Sequence, residues 1–305
     1  MKKINLAFIG AGKTMEEYLR VITSLDQKLN LVGIYSRTFK KAEYLKKKYK
    51  ISNNFDSIFN LYEKTKPDIV IVVISAENVK KEIKKISQYD WKIFIEKPFG
   101  INYDETIEIK KILKNKINDV FIALNRLHFS STINLLNILK NDNSKRVINI
   151  FDQEKFYNNK LLSKNLMYTN SVHLFTYCPI LARGKLLQIT NILSQKKHII
   201  KKLTFSSGDI IIFHSIWNKP GPWKVEINTN NLYLLLNPLE KLSIKKNNTN
   251  KLDEFRLSDN DIKYKTGFKS QILEYLKLYN SNVKKYNFEF YFEIIKIIKK
   301  YYKSV

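Results

Sequence analysis

Apolar residues follow two different rhythms along this chain, and the change between them is the first clue to its architecture. In the first half, short continuous apolar runs alternate with stretches whose apolar residues recur three and four positions apart. The runs suit strands buried on both faces, and the wider spacing suits amphipathic helices. Strands are predicted at 4–9, 29–35, 69–74, 91–96 and 120–124. Between them Met15, Tyr18, Leu19 and Ile22 form one helical stripe, and Ala42, Leu45 and Tyr49 a second. Further helices are predicted after Ser75 and over 106–113. Such an alternation argues for a doubly wound parallel sheet.

From Arg146 the rhythm changes to strands separated by polar turns, predicted at 147–151, 210–217, 224–227, 232–236 and 239–244. The stiff loop Asn218-Lys219-Pro220-Gly221-Pro222 joins two of them, and helices are predicted at 165–182, 264–279 and 287–302. Alternation along 210–217 puts Ile212 and His214 on one face and Phe213 and Trp217 on the other. Two partly apolar faces predict helices against one and a partner subunit, in a homo-oligomer, against the other. At 305 residues the chain suits two domains, a dinucleotide-binding one at 1–125 and a substrate-binding and oligomerising one at 126–305.

Candidate chemistry gathers at strand ends, where open α/β sheets bind ligands. The first strand runs into Gly10-Ala11-Gly12-Lys13-Thr14-Met15 and then a helix. Two glycines allow a tight turn and a close backbone approach to a pyrophosphate, whose charge the helix N-terminus favours. Met15 replaces the third glycine of the usual pattern, which predicts a wider helix spacing. The second strand ends in Ser36-Arg37 with no acid for a ribose 2′-hydroxyl, which leans towards NADP over NAD, although arginine can stack on the adenine of either. Ser75 is a candidate N-cap and ribose neighbour. The strand at 91–96 delivers Glu96 and Lys97 to its end, where Pro98 holds Lys97 extended.

Charge changes this picture little. The net +26 suggests an electropositive surface, but the lysines are dispersed over helix faces and turns, and no basic stripe is interleaved with aromatic residues. Nucleic-acid binding is therefore not expected. Cys178 is the single cysteine, and His128, His198 and His214 lack metal-ligand spacing, so no disulfide and no metal are expected, in keeping with a cytoplasmic protein. No run is long enough to cross a membrane.

With Gly10-Ala11-Gly12-Lys13, Ser36-Arg37, Glu96-Lys97-Pro98, Asn125-Arg126 and Asn170-Ser171-Val172-His173-Leu174 in place, the sequence resembles the glucose–fructose oxidoreductase and inositol dehydrogenase (Gfo/Idh/MocA) family over nearly its whole length. Glu-Lys-Pro is the most specific of these motifs. The stretches Asp152-Gln153-Glu154, Pro220-Gly221-Pro222-Trp223 and Pro238-Leu239-Glu240 look like those of members linked to surface-polysaccharide biosynthesis. The resemblance implies an α/β chain: an N-terminal Rossmann domain and a C-terminal domain on a large, mostly antiparallel sheet that often forms an oligomer interface. It also implies hydride transfer between a nicotinamide cofactor and a carbinol carbon of a sugar or nucleotide-sugar.

Carried onto this sequence, it assigns the cofactor to Gly10, Ala11, Gly12, Lys13, Thr14, Ser36, Arg37, Ser75, Glu96, Lys97 and Asn125. Substrate falls to Lys97, Arg126, Gln153, Asn170 and His173, with Lys97 and His173 catalytic. Many members carry acids where this chain has Thr169 and Thr176, and histidines where it has Tyr18 and Lys80. A carboxylate beside a catalytic imidazole fixes its tautomer and stabilises its cation. Without one His173 is expected to be a weaker base, and a non-catalytic dinucleotide- or sugar-binding protein of a surface-glycan pathway is the alternative.

Overall fold

The parallel sheet predicted for the first half is present in a computed structural model of the chain, which describes residues 3–25, 29–247, 249–279 and 287–303. Its strands are β1 (Ile4–Ile9), β2 (Leu29–Tyr35), β3 (Asn54–Phe55), β4 (Ile69–Val72), β5 (Lys92–Glu96) and β6 (Val120–Ala123), in the order β3-β2-β1-β4-β5-β6. All neighbouring pairs run parallel. Helices α1 (Lys13–Ile22), α2 (Phe39–Tyr49), α3 (Ile58–Thr65), α4 (Val79–Ile86) and α5 (Tyr103–Leu113) connect them. The order reverses between β1 and β4, so both strands end at the switch point where such sheets bind ligands. The two-residue strand β3 is too short to leave an apolar run, which is why periodicity does not announce it.

After the 3₁₀ turn Asn125–His128, α6 (Ser130–Leu139) leads to β7 (Val147–Glu154). Four short helices follow, α7 (Lys160–Lys164), α8 (Leu166–Thr169), α9 (Val172–Phe175) and α10 (Tyr177–Leu181), the last three standing where one helix over 165–182 is predicted. Asn165 and Asn170 interrupt it with φ of −109° and −133°. Asparagine side chains compete with helical hydrogen bonding, and Pro179 has no N–H to extend a preceding helix.

The second sheet holds eight strands: β7, β8 (Leu186–Gln195), β9 (His198–Phe205), β10 (Ile210–Trp217), β11 (Lys224–Asn228), β12 (Leu232–Leu236), β13 (Leu242–Lys246) and β14 (Asp253–Glu254). Their order is β14-β13-β12-β11-β7-β10-β9-β8, antiparallel except for β7 with β10. Strand β13 starts at Leu242, three residues beyond the predicted 239. β8 and β9 have no counterpart in the prediction, for two reasons. β8 is an edge strand with mostly exposed positions, and β9 alternates correctly but places Lys201 at a core position, fully buried, where its ammonium bonds the Tyr301 carbonyl.

The remaining helices are α11 (Asp259–Lys263), α12 (Phe268–Tyr279) and α13 (Phe288–Lys303). The chain forms two compact units, 1–124 with 268–292, and 125–267 with 293–305. The predicted division after 125 leaves all of 268–292 in the second domain, whereas these residues complete the first unit. Phe268 stacks on Tyr18 with ring centroids 4.4 Å apart, Tyr275 meets Phe94 edge-on, and Tyr291 accepts the Phe99 N–H at 3.0 Å. A contiguous boundary cannot represent a chain that returns to an earlier core.

In the second unit a buried corner ties strands to loops. Asp209, fully buried, accepts the backbone N–H groups of Arg146 (3.0 Å) and Arg183 (2.9 Å) and the Arg183 guanidinium at 2.8 and 3.0 Å. Burial alone would raise its pKa, but these hydrogen bonds override it and hold it at about 2. A depressed carboxylate contributes stability above its unfolded pKa of about 4 and loses it as pH falls through the folded value. Asp209→Asn is therefore expected to cost about 2 kcal/mol at neutral pH, allowing for solvent screening of Arg183, with the difference vanishing towards pH 2. Urea unfolding of both proteins across pH measures it.

Candidate functional site

The glycine turn of the first unit is built as the sequence requires. Gly10 has φ of +106°, and a Cβ there would lie 1.9 Å from the Val73 carbonyl oxygen, so only glycine fits. Gly12 is the N-cap of α1, and a Cβ on it would meet nothing within 4 Å, which leaves room for a ligand at the helix N-terminus. Met15 is fully buried beneath the turn.

Gly10, Ala11 and Gly12 line a cavity of about 320 Å³ together with Ser36, Arg37, Thr38, Lys41, Ser75, Asn78 and Glu82. Three stretches far apart in sequence, 9–12, 35–41 and 73–82, thus converge on one place. Arg37 donates to Asn78 Oδ1 at 3.1 Å, and Asn78 donates to Ser75 Oγ at 2.6 Å. Ser75 precedes a 3₁₀ turn but makes no side-chain cap, so its predicted capping role is replaced by this bond. Lys13 and Thr14 form the first turn of α1 and are not among the cavity walls. Glu82 is an unanticipated wall, 6% exposed; in the sequence it looks like one more charged residue of a lysine-rich helix. The turn, the open space at Gly12 and the basic wall fit the adenosine and pyrophosphate of a dinucleotide.

At the end of β5 in the same unit, Glu96 is fixed on both carboxylate oxygens. The buried Tyr18 hydroxyl donates to Oε1 at 2.5 Å, and the Lys97 N–H donates to Oε2 at 3.1 Å. Burial first, and then the Glu96 charge, push the Tyr18 pKa well up, so the phenol keeps its proton. Glu96 thus orients the Lys97 turn, and Tyr18 serves a carboxylate from the place where resembled sequences carry histidine. The Lys97 side chain is half-buried.

The second unit holds the other candidates. Asn125 donates its amide to the Thr266 carbonyl at 3.3 Å. Arg126 is 6% exposed, its guanidinium 4.1 Å from the Trp223 ring centroid. Burial lowers its pKa, against the pull of Tyr177, Glu154, Asp152 and Glu240. Strand parity decides the fate of Asp152-Gln153-Glu154. Asp152 and Glu154 face the buried side with Ile148 and Ile150, and Gln153 faces the other, its amide donating to the Lys219 carbonyl at 2.9 Å. Gln153 is thus parted from Asp152 and Glu154, because adjacent strand residues point to opposite faces. On the buried face, Asn170 bonds the Glu154 carboxylate. His173 is 8% exposed at the start of α9. Thr169 donates to the Asn165 carbonyl at 3.2 Å and Thr176 to the Val172 carbonyl at 2.8 Å, so neither substitutes for an acid. Lys97 and His173 belong to different units.

Residues 4–124 match the family described as GFO_IDH_MocA, an oxidoreductase family with an NAD-binding Rossmann fold. No curated protein matches the sequence. Among solved structures, a dehydrogenase (MviM) from Clostridium difficile is 18% identical with a TM-score of 0.81, covering 100% of both chains. UDP-N-acetylglucosamine 3-dehydrogenase GnnA from Acidithiobacillus ferrooxidans is 12% identical, with a TM-score of 0.79 over 100% of this chain and 98% of its own. Myo-inositol 2-dehydrogenase from Lactobacillus plantarum is 15% identical, with a TM-score of 0.75 over 99% of this chain and 97% of its own. At such identities these likenesses speak for the fold of the whole chain.

Proposed function

We propose, from the match of residues 4–124 to the Gfo/Idh/MocA oxidoreductase family, that this chain is an NAD(P)-dependent dehydrogenase or reductase of a sugar or nucleotide-sugar. The observation that carries the reading is the cavity at the glycine turn, whose open space at Gly12 and basic wall at Arg37 and Lys41 suit a dinucleotide. Gly10, Ala11, Gly12, Ser36, Arg37 and Ser75 would hold the cofactor. When bound, a nicotinamide dinucleotide accepts or donates the hydride. What the chain must supply is orientation and a path for the hydroxyl proton. Lys97 is the candidate for holding that proton in the first unit, with Glu96 and Tyr18 fixing its backbone, and His173 is the candidate in the second. Lysine is too basic for this at neutral pH unless desolvation or nearby positive charge lowers its pKa. The names of the solved relatives support sugars, nucleotide-sugars and cyclitols as the substrates to try first. The motifs shared with surface-polysaccharide members support a place in that metabolism, and the half-buried face of the second sheet supports a homo-oligomer.

The absence of an acid after β2 supports NADP over NAD. Arg37→Ala is expected to weaken NADPH binding about tenfold more than NADH binding, since a charged hydrogen bond to the 2′-phosphate is lost. Fluorescence titration measures both; equal losses would move Arg37 to the adenine ring. The test of the whole reading is turnover with NAD and NADP over a panel of myo-inositol, glucose and UDP-N-acetylglucosamine. Cofactor binding without turnover on any of them would favour the non-catalytic alternative that Thr169 and Thr176 suggest.

A further inference from the structure

Thr169 and Thr176 leave the helical turn of His173 without an acid of its own, yet carboxylates reach this segment from the neighbouring strand. β7 turns Asp152 and Glu154 to one buried face, where they are 0% and 3% exposed. Glu154 receives the side-chain amide of Asn170. Ser171, Arg126 and Glu154 are the groups that act on the Asp152 carboxyl within this face. Asn170 and Ser171 lead directly into His173, whose N–H bonds the Asn170 carbonyl at 3.1 Å. From α13, Tyr301 and Tyr302 also feel the Asp152 charge, but their hydroxyls are engaged with the Phe213 carbonyl and with Ser215, each at 3.0 Å.

Among the described residues, neither oxygen of Asp152 makes a hydrogen bond of ordinary geometry, nor do Ser171 Oγ and Arg126 Nη1, although Ser171 and Glu154 lie near enough to the carboxyl to pull its pKa down against the effect of burial. A carboxylate buried in this way is destabilising, and such groups persist where function requires them. A purely structural counter-ion for Arg126 would be expected to bond its guanidinium directly.

We infer that Asp152 is a positioning residue for His173, supplying from β7, across the Asn170-Ser171 turn, the negative charge that resembled sequences place beside the histidine. The inference rests on the proposed proton-transfer role of His173. A carboxylate nearby favours the imidazolium, so its removal lowers the imidazole pKa. Burial raises the Asp152 pKa. Its ionisation therefore subtracts stability as pH rises through the mildly acidic range, and a neutral isostere restores that stability at neutral pH.

The test is an NMR titration of the four histidines in the full chain and in Asp152→Asn, with the His173 signal assigned from His173→Asn. In Asp152→Asn the His173 pKa is expected to fall by about one unit. Its melting temperature is expected to rise at neutral pH and to match the parent in acid, with NADH affinity unchanged. An unmoved His173 pKa would overturn the inference, and so would an Asp152→Asn protein that is less stable or insoluble, which would make Asp152 a structural counter-ion. Turnover separates this from the wider reading. If no sugar is oxidised, the oxidoreductase assignment fails while the imidazole titration still decides the role of Asp152. If turnover is present, the limb of the kcat/KM profile that follows His173 is expected to shift with the NMR value, and a limb that stays in place would count against it.

Discussion

Lys97→Met is expected to lower the rate of hydride transfer about a thousandfold while leaving cofactor affinity within about twofold, as loss of a positioned proton donor or acceptor does. Methionine keeps the length and apolar stem of lysine and removes only the ammonium, so the strand end should stay packed. Glu96 supports this expectation: its carboxylate is anchored by Tyr18 and caps the Lys97 N–H, so the backbone at this position is held by groups the substitution leaves alone. Single-turnover mixing with cofactor titrated beforehand separates binding from chemistry. Tight binding with unchanged transfer would remove Lys97 from the proton path and leave it as a strand-end lysine.

Gly10→Ala is expected to destabilise the protein by about 3 kcal/mol or more and to abolish dinucleotide binding. Two faults combine there. The backbone sits at φ +106°, which L side chains rarely adopt, and the new methyl group would fall 1.9 Å from the Val73 carbonyl oxygen. Either the β1 turn or the segment that follows β4 must move, and both wall the cavity. Gly12→Ala provides the contrast, because its Cβ would meet nothing within 4 Å. Thermal melting should change little for Gly12→Ala, while NADPH affinity falls because the methyl group occupies space reserved for the pyrophosphate. Equal destabilisation by the two substitutions, or unimpaired binding in Gly10→Ala, would contradict this account of the turn.

The first unit was more legible in the sequence than the second for a physical reason. Parallel strands buried on both faces read as continuous apolar runs, so β1, β2, β4, β5 and β6 stood out, and the glycine turn followed the first of them. The second sheet has one open face and polar exceptions inside. Lys201 at a core position hid β9, the exposed positions of β8 left no pattern, and two asparagines with Pro179 broke a stretch whose composition suggests one helix. The return of 268–292 to the first core is a long-range contact that no local period encodes.

Site residues divide in the same way. Gly10, Gly12, Ser36, Arg37 and Ser75 are candidates that local turn chemistry points to, and they line one cavity. Gln153 lies on the face opposite Asp152 and Glu154, and strand parity must be known before such neighbours can be told apart. In the sequence Asp152 and Glu154 read as carboxylates at a strand end, and solvent-facing carboxylates look the same. Glu82 carried no signal at all. What distinguishes these acids is burial, a property of the whole fold.

The central claim is that a nicotinamide cofactor bound at the glycine turn exchanges hydride with a sugar carbinol. Its most direct test is single-turnover mixing of the full chain with NADP or NAD and each sugar of the panel, followed by the absorbance of the reduced nicotinamide. The account predicts reduction with at least one sugar, faster with NADP, and lost in Gly10→Ala and Lys97→Met. Saturated cofactor binding with no reduction by any sugar, in either direction of the reaction, would contradict it.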